Sequence, residues 1–477
     1  MATMFINGKS VGAVSGKKLA VLSPVDGKQF DEIPRGEAAD IDLAVKAASE
    51  AIEGAWGKFT ALERGRLLLK LSEKVQQHHE ELSLIEAKDT GKPMSTARAD
   101  ITALARYFEF YGGAADKIHG EVIPFLNGYS VTLEREPLGV TAHIIPWNYP
   151  AQMLGRTIAP ALAMGNAVVV KPAEDACLTP LRVAELANEV GFPAGAINLV
   201  TGLGEEAGAA LSSHPGINFI SFTGSNEVGI LVQQAAAKNA VKCVLELGGK
   251  SPHVLFADAD LDRAIPIITR GIIANTGQTC TAGSRLLIEK PIYQEVMDRL
   301  AKEFANVKVG TPDMDLNCGP VVNVAQRNRV NHFLNLAKES NIQIVAQGQL
   351  AKDLPADGYY VTPTLLGNVP FDHPINQEEI FGPVLATLAF ETEADGIRLA
   401  NSTSYGLMAA VWTENGGRQQ RVAKAIKAGQ VYINGFGAGG GIELPFGGVK
   451  RSGHGREKGF MALEELSTTK TVINYHG

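Results

Sequence analysis

Residues 139–171 read GVTAHIIPWNYPAQMLGRTIAPALAMGNAVVVK, and the fold turns on this stretch. A short apolar, β-branched run, Val140–Ile145, leads into a turn bracketed by Pro146 and Pro150, then a helical segment, then a second run at Ala167–Val170. β-Branched residues pack well on a pleated surface, so both runs read as strands. The alternation continues through Ile197–Val200, Ile217–Phe222 and Lys242–Leu245, with helical stretches between them. One of these, Pro180–Val190, carries Thr179 as N-cap, Pro180 at the first helical position and Gly191 as the stop. Five strands alternating with four helices predict a parallel, doubly wound sheet that binds a dinucleotide at the carboxyl ends of its strands.

Toward the N-terminus, the chain from Ala38 to about Ile118 is helical, and Ala61–Leu84 shows apolar residues at three- and four-residue spacing. Toward the C-terminus, a less regular alternation from Pro252 to Ile433 predicts a second α/β domain, with strands at Ser284–Ile288 and Val431–Ile433 and helices at Pro291–Ala305 and Arg418–Lys427. Two strand-like segments, Glu121–Arg135 and Ser467–Asn474, have no place in either sheet and are expected to join strands across a subunit interface. Gly8-Lys9-Ser10-Val11-Gly12 formally fits the hydrolase elbow G-x-S-x-G, but it precedes any strand-to-helix unit and reads as the turn of an N-terminal hairpin.

A chain of 477 residues, 45% hydrophobic, can bury large cores, and two or three domains are expected at ~100–200 residues each. The net charge of −7 is spread without any Lys/Arg run, which argues against nucleic acid and anionic membrane partners. MATMFINGKS lacks the basic-then-apolar pattern of a secretory signal, and no stretch approaches the ~20 apolar residues of a membrane span, so a cytoplasmic location is expected. Four cysteines, Cys177, Cys243, Cys280 and Cys318, form no C-x-x-C pair and are expected to be free thiols. No H-E-x-x-H or similar spacing occurs among ten histidines, so no metal is expected.

Asn275-Thr276-Gly277-Gln278-Thr279-Cys280 places a cysteine in the loop between a helix ending near Ala274 and a strand beginning near Ser284, with Gly277 permitting a tight turn. A lone cysteine is usually a small core residue. Its company argues otherwise. Glu246 closes the last strand of the dinucleotide domain, and Asn148 projects from the turn after Val140–Ile145, both at strand carboxyl ends where α/β sheets carry their sites. A carboxylate beside Lys250 and a loop capping the next helix are the plainer readings of these two residues.

PWNYP, KPAE, FTGS, ELGGK, NTGQTC, EEIFGP and PFGGVKRSGHGRE then follow one another in the order and spacing of the aldehyde dehydrogenase superfamily, which the chain resembles over nearly its whole length. The resemblance implies a Rossmann-type dinucleotide-binding domain (1–118 and 138–246), a second α/β catalytic domain (247–445) and a small β oligomerisation element (119–137 and 460–477). It implies that Cys280 attacks an aldehyde, that Asn148 and the Cys280 N–H hold the oxyanion, and that Glu246 activates the water that hydrolyses the thioester. Relatives that pass the acyl group to coenzyme A generally lack the ELGGK glutamate, so Glu246 implies a free acid as product. For the cofactor, NAD, the resemblance implies Lys171 and Glu174 at the adenosine ribose, Gly224 and Ser225 at the pyrophosphate, and Glu379 and Phe381 at the nicotinamide end. Ile144, Trp147, Gly204 and Leu247 complete the set. A carboxylate at Glu174 accepts from a free 2′-hydroxyl and repels a 2′-phosphate, which favours NAD over NADP. A homodimer or homotetramer is implied.

Two positions depart from the pattern. Arg156, eight residues after Asn148, stands at a substrate-tunnel position that is aromatic in many relatives. A guanidinium there could grip the distal carboxylate of a semialdehyde or form a structural ion pair; the second arginine that semialdehyde enzymes place six residues before the nucleophile is Ala274 here. Thr157 replaces a lysine that many relatives use, with the counterpart of Glu457, to carry protons from the base, leaving Glu457 as a structural helix residue. A thioesterase-like hydrolase using Cys280 and Glu246 alone, and a non-catalytic binding protein on the same fold, are the rival readings.

Overall fold

A computed structural model describes residues 2–437 and 441–477. The stretch 139–171 folds as its pattern predicts: Val140–Ile145 and Ala167–Pro172 are adjacent parallel strands, with the helix Pro150–Met164 crossing between them. Ile197–Leu199, Phe219–Thr223 and Lys242–Glu246 complete the predicted five. Their spatial order places the third beside the second, then the first, fourth and fifth, all parallel. The direction of winding therefore reverses between Val140–Ile145 and Phe219–Thr223, leaving a crevice at their carboxyl ends. The N-terminal hairpin Met4–Ile6 and Lys9–Val11 extends one edge, antiparallel to Ile197–Leu199. The opposite edge is closed from far along the chain, by Gly453–His454 pairing antiparallel with Leu245 and Glu246.

Helices Ala38–Glu53, Ala61–Gln77, His79–Thr90 and Met94–Ala114 supply the predicted N-terminal bulk, and their apolar faces join the core of the first sheet. Two boundaries differ from expectation. Ala61–Leu84 is not continuous, because the first helix ends at Gln77 and the next begins at His79. The helix expected from Pro180 begins at Leu178 with Cys177 as N-cap, so Thr179 lies inside it. The Leu178 N–H donates to Asp89 Oδ2 at 2.9 Å, so a carboxylate from another helix does the capping that Thr179 was expected to do. Gly191 ends the segment as predicted, at φ +99°.

Leu247–Ser251 carries the chain into a second sheet, whose spatial order is Gln343–Gln347, Thr364–Gly367, Val384–Phe390, Arg285–Glu289, Pro252–Leu255, Met408–Trp412 and Gln430–Ile433. Every neighbour is parallel except the first. The two orphan segments pair with each other: Ser467–Tyr475 runs antiparallel to Tyr129–Pro137 along its whole length, with Glu121–Ile123 on the far side. This three-stranded sheet stands apart from both large sheets. No helix among the described residues is long and apolar enough to cross a membrane.

Candidate active site

Cys280 is held by a loop of unusual shape. The helix Leu261–Ile273 stops, and Asn275, Thr276 and Gly277 follow in the left-handed region at φ +48°, +56° and +74°. For the first two residues this backbone costs on the order of 1–3 kcal/mol each and persists only if the surroundings impose it. They do. The Asn275 amide donates to the Asn148 carbonyl at 2.8 Å, the Thr276 hydroxyl to the Gly319 carbonyl at 3.0 Å, and the Val322 N–H to Gln278 Oε1 at 2.9 Å. A Cβ at Gly277 would stand 2.2 Å from the Gly382 carbonyl carbon, so close approach as well as φ requires glycine. Cys280 then lines two cavities, of about 500 and 670 Å³, that approach it from different sides. Cys177 and Cys318 are buried and Cys243 lies in its strand, and all four thiols are free.

Asn148 lines the larger cavity with Cys280, and its Nδ2 donates to the Gln278 carbonyl at 3.0 Å. Its loop is anchored by Lys92, whose buried ammonium donates to the Asn148 carbonyl at 3.1 Å and pairs with Glu86 at 3.2 Å and Asp100 at 2.5 Å. A buried cation needs such partners, since desolvation otherwise exceeds what one contact returns.

Glu246 ends its strand where the sequence places it and faces the same cavity. Burial pushes its pKa well above the ordinary carboxylate value, while the Arg156 charge pulls against that shift. The two glycines that follow leave room for the site: a Cβ at Gly248 would meet Glu379 Oε2 at 2.3 Å, and one at Gly249 the Cys280 carbonyl at 2.3 Å. The C-terminal stretch braces this turn, the Ser452 hydroxyl donating to the Gly248 carbonyl at 2.8 Å and the Leu247 N–H to the Ser452 carbonyl at 3.1 Å. Glu457 is not the helix residue expected, since it bridges to Phe446 outside any helix. It accepts from the Ser221 hydroxyl at 2.7 Å and pairs with Arg156. Of the two readings of Arg156, the structure contains the ion pair.

Of the residues expected at the cofactor, Trp147, Gly224, Ser225, Leu247, Glu379 and Phe381 line the 670 Å³ cavity with Asn148, Glu246 and Cys280. Lys171, Glu174, Ile144 and Gly204 lie outside that lining. Ile144 and Lys171 face each other in register at the end of the first two strands, and Lys171 Nζ is 2.7 Å from Glu174 Oε2. Gly204 opens the turn that follows the third strand. Trp147 and Phe381 meet edge to face at 5.3 Å. Glu379 accepts from the Gly249 N–H at 2.9 Å, and burial raises its pKa to about 7.

The family model described as the aldehyde dehydrogenase family matches residues 11–472. The chain belongs to that family. An aldehyde dehydrogenase of Emericella nidulans is 43% identical over 98% of this chain and 94% of its own length, and human retinal dehydrogenase 2 is 42% identical over 98% and 91%. Among solved structures, a Burkholderia cenocepacia protein assigned as an aldehyde dehydrogenase superposes with a TM-score of 0.99 at 55% identity, each chain fully covered. Staphylococcus aureus betaine aldehyde dehydrogenase in complex with NAD+ superposes at 0.97 with 36% identity, over all of this chain and 95% of that one.

Several residues of this aldehyde dehydrogenase's site escape sequence reasoning. Arg329 donates to the Glu379 carbonyl, and Gln326 to the Phe381 carbonyl at 2.6 Å, so both brace the EEIFGP turn. Lys92 and Lys458 are buried, and Lys458 lines the smaller cavity. Their one signal was a lysine next to otherwise buried residues, which does not distinguish it from a solvated one. Among the described residues, no group of three or more His, Cys, Asp or Glu is placed to hold a metal ion.

Proposed function

We propose that the protein oxidises an aldehyde to the carboxylic acid, with Cys280 as nucleophile, Asn148 as oxyanion donor and Glu246 as the base for hydrolysis. The observation that carries this reading is the placement of Cys280 where two cavities meet. The smaller chamber suits the aldehyde and the larger one the cofactor, whose cradle is the Gly248 backbone against Glu379. Attack by the Cys280 sulfur gives a thiohemiacetal, and the second N–H of the Asn148 amide, with the Cys280 N–H, serves its oxyanion. NAD is the cofactor and, when bound, supplies the acceptor for the hydride that this adduct loses. Glu246 then takes a proton from the water that attacks the Cys280 thioester; the carbon–sulfur bond breaks, releasing the acid and the Cys280 thiolate. The Glu174 carboxylate favours a free ribose 2′-hydroxyl, and hence NAD over NADP.

On this reading the dinucleotide-binding domain (1–118 and 138–246) holds the first large sheet except its edge strand Gly453–His454, the catalytic domain (247–445) holds the second, and the three-stranded sheet is the oligomerisation element (119–137 and 460–477) of a cytoplasmic homodimer or homotetramer. The chamber wall carries Tyr107, Tyr149, Tyr432, Phe436 and Phe446, which favours an aldehyde with an aromatic or unsaturated body over a short saturated one.

Stopped-flow measurement of NADH across a panel including benzaldehyde, succinate semialdehyde and medium-chain aldehydes tests the reading. Cys280→Ala should form no NADH. Glu246→Gln should keep a single-turnover burst while steady turnover collapses, because hydride leaves before water attacks. Equal loss of burst and turnover would assign Glu246 to thiol activation instead.

A further inference from the structure

Arg156 stands where the acidic groups behind the nucleophile converge. It projects from the helix Pro150–Met164, is 2% exposed, and lays its guanidinium 4.2 Å from the centre of the Phe446 ring. Nε pairs with Glu457 Oε2, and Nη2 lies 3.7 Å from Glu246 Oε2. Glu457 is itself fixed from behind by Ser221, on the strand next to that of Glu246. Among the described residues neither oxygen of Glu246 accepts a hydrogen bond, and Oε1 packs where a Cβ on Gly447 would come within 2.9 Å. The base therefore depends on a nearby fixed charge for its ionised form, not on hydrogen bonds.

We propose that Arg156, although it lines the smaller cavity, is a positioning residue for Glu246: held by Glu457, which Ser221 fixes in turn, its guanidinium sets the place and the charge of the water-activating carboxylate, and this is its role in place of substrate recognition. This rests on the reading of Glu246 as the hydrolytic base. The 3.7 Å separation is long enough to leave the carboxylate without a hydrogen bond to the guanidinium, so it can swing toward the thioester, yet short enough for strong attraction in a buried site. Arginine keeps its proton under all working conditions, so the proton gained by Glu246 is not passed on through Arg156. Thr157 offers no substitute, since its hydroxyl is spent on the Met153 and Leu154 carbonyls at 3.0 and 3.4 Å. The proton leaves instead by the cofactor-side cavity that Glu246 lines.

The groups that act on Glu246 come from three elements: Arg156 from its helix, Glu457, Arg456 and Lys458 from the C-terminal stretch, and the Cys280 thiol from its loop. Lys458, which burial pulls down to about 7, titrates in the same range and needs its own control.

The test compares wild type, Arg156→Met, Arg156→Lys and Lys458→Met, measuring the NADH burst and the steady-state kcat against pH with one neutral and one anionic aldehyde. Wild type should show a burst; no NADH at all would overturn the functional reading and the proposal with it. Arg156→Met should keep the burst while the acid limb of kcat moves up by about one to three pH units, equally for both aldehydes. Arg156→Lys should recover part of that shift, and Lys458→Met should move the limb less. If Arg156→Met does not fold, because Glu457 is stranded, the double variant Arg156→Met/Glu457→Gln removes both charges and should show an upward shift of smaller size, since the Glu457 carboxylate itself raises the Glu246 pKa. An unmoved limb overturns the proposal. So does a rise in KM confined to the anionic aldehyde, which would return Arg156 to substrate recognition.

Discussion

Cys280 is a weak nucleophile until its proton is removed. Surrounding protein pushes its pKa up to about 12, with Arg156 pulling the other way, so the free enzyme holds a thiol and not a thiolate at neutral pH. The direction sets the pH dependence: a group that works deprotonated and whose pKa is raised loses activity as pH falls and gains it as pH rises. Alkylation of Cys280 by iodoacetamide, in the absence of NAD, should therefore quicken about tenfold per unit between about pH 7 and 10, following the thiolate fraction. Mass spectrometry of the Cys280 peptide reads this directly, and a rate independent of pH would show a thiolate already present. Cys318 shares the raised pKa without access to a large cavity, so it serves as the unreactive internal comparison.

At the level of elements, the site is a meeting of turns held by one another. The turn after Lys242–Glu246 is clamped by Gly453–His454, which lies more than 200 residues further on and pairs with its last two residues. Gly453 adopts φ +111°, and a Cβ there would come within 1.9 Å of the Leu245 carbonyl oxygen. Gly453→Ala cannot be absorbed by a side-chain shift, because the obstacle is backbone. It should lower stability by more than ~1 kcal/mol and reduce turnover as Glu246 is displaced. Urea unfolding beside the steady-state rate checks both, and a variant of unchanged midpoint and rate would show that this clamp is dispensable. Lys92 plays the equivalent part for the Asn148 turn, tying it to Glu86 and Asp100 in the N-terminal helices.

At the scale of the whole molecule, the three-stranded sheet exposes several large apolar side chains. Val122 is 79% exposed, Ile473 60% and Tyr475 68%, and among the described residues no strand pairs with the outer edge of Glu121–Ile123. Apolar surface on an open sheet edge invites pairing, which is the basis of the proposed oligomerisation element. Val122→Asp with Ile473→Asp should lower the mass seen by light scattering, whereas a wild type already at 50.6 kDa would remove the oligomerisation reading. The alternation of strands and helices from Val140 to Glu246, the glycine turn before Cys280 and the placement of Glu246 and Asn148 at strand ends were all determined by the sequence itself, because period and turn chemistry act over a few residues. Tertiary structure decided what depends on residues far apart. Asp89 replaced Thr179 as a helix cap, Asn275 and Thr276 were forced into left-handed backbone, and Arg156 was paired with Glu457. Local pattern carries no information about which distant charge will fill a buried site, since burial and its electrostatic cost exist only once the sheets have packed.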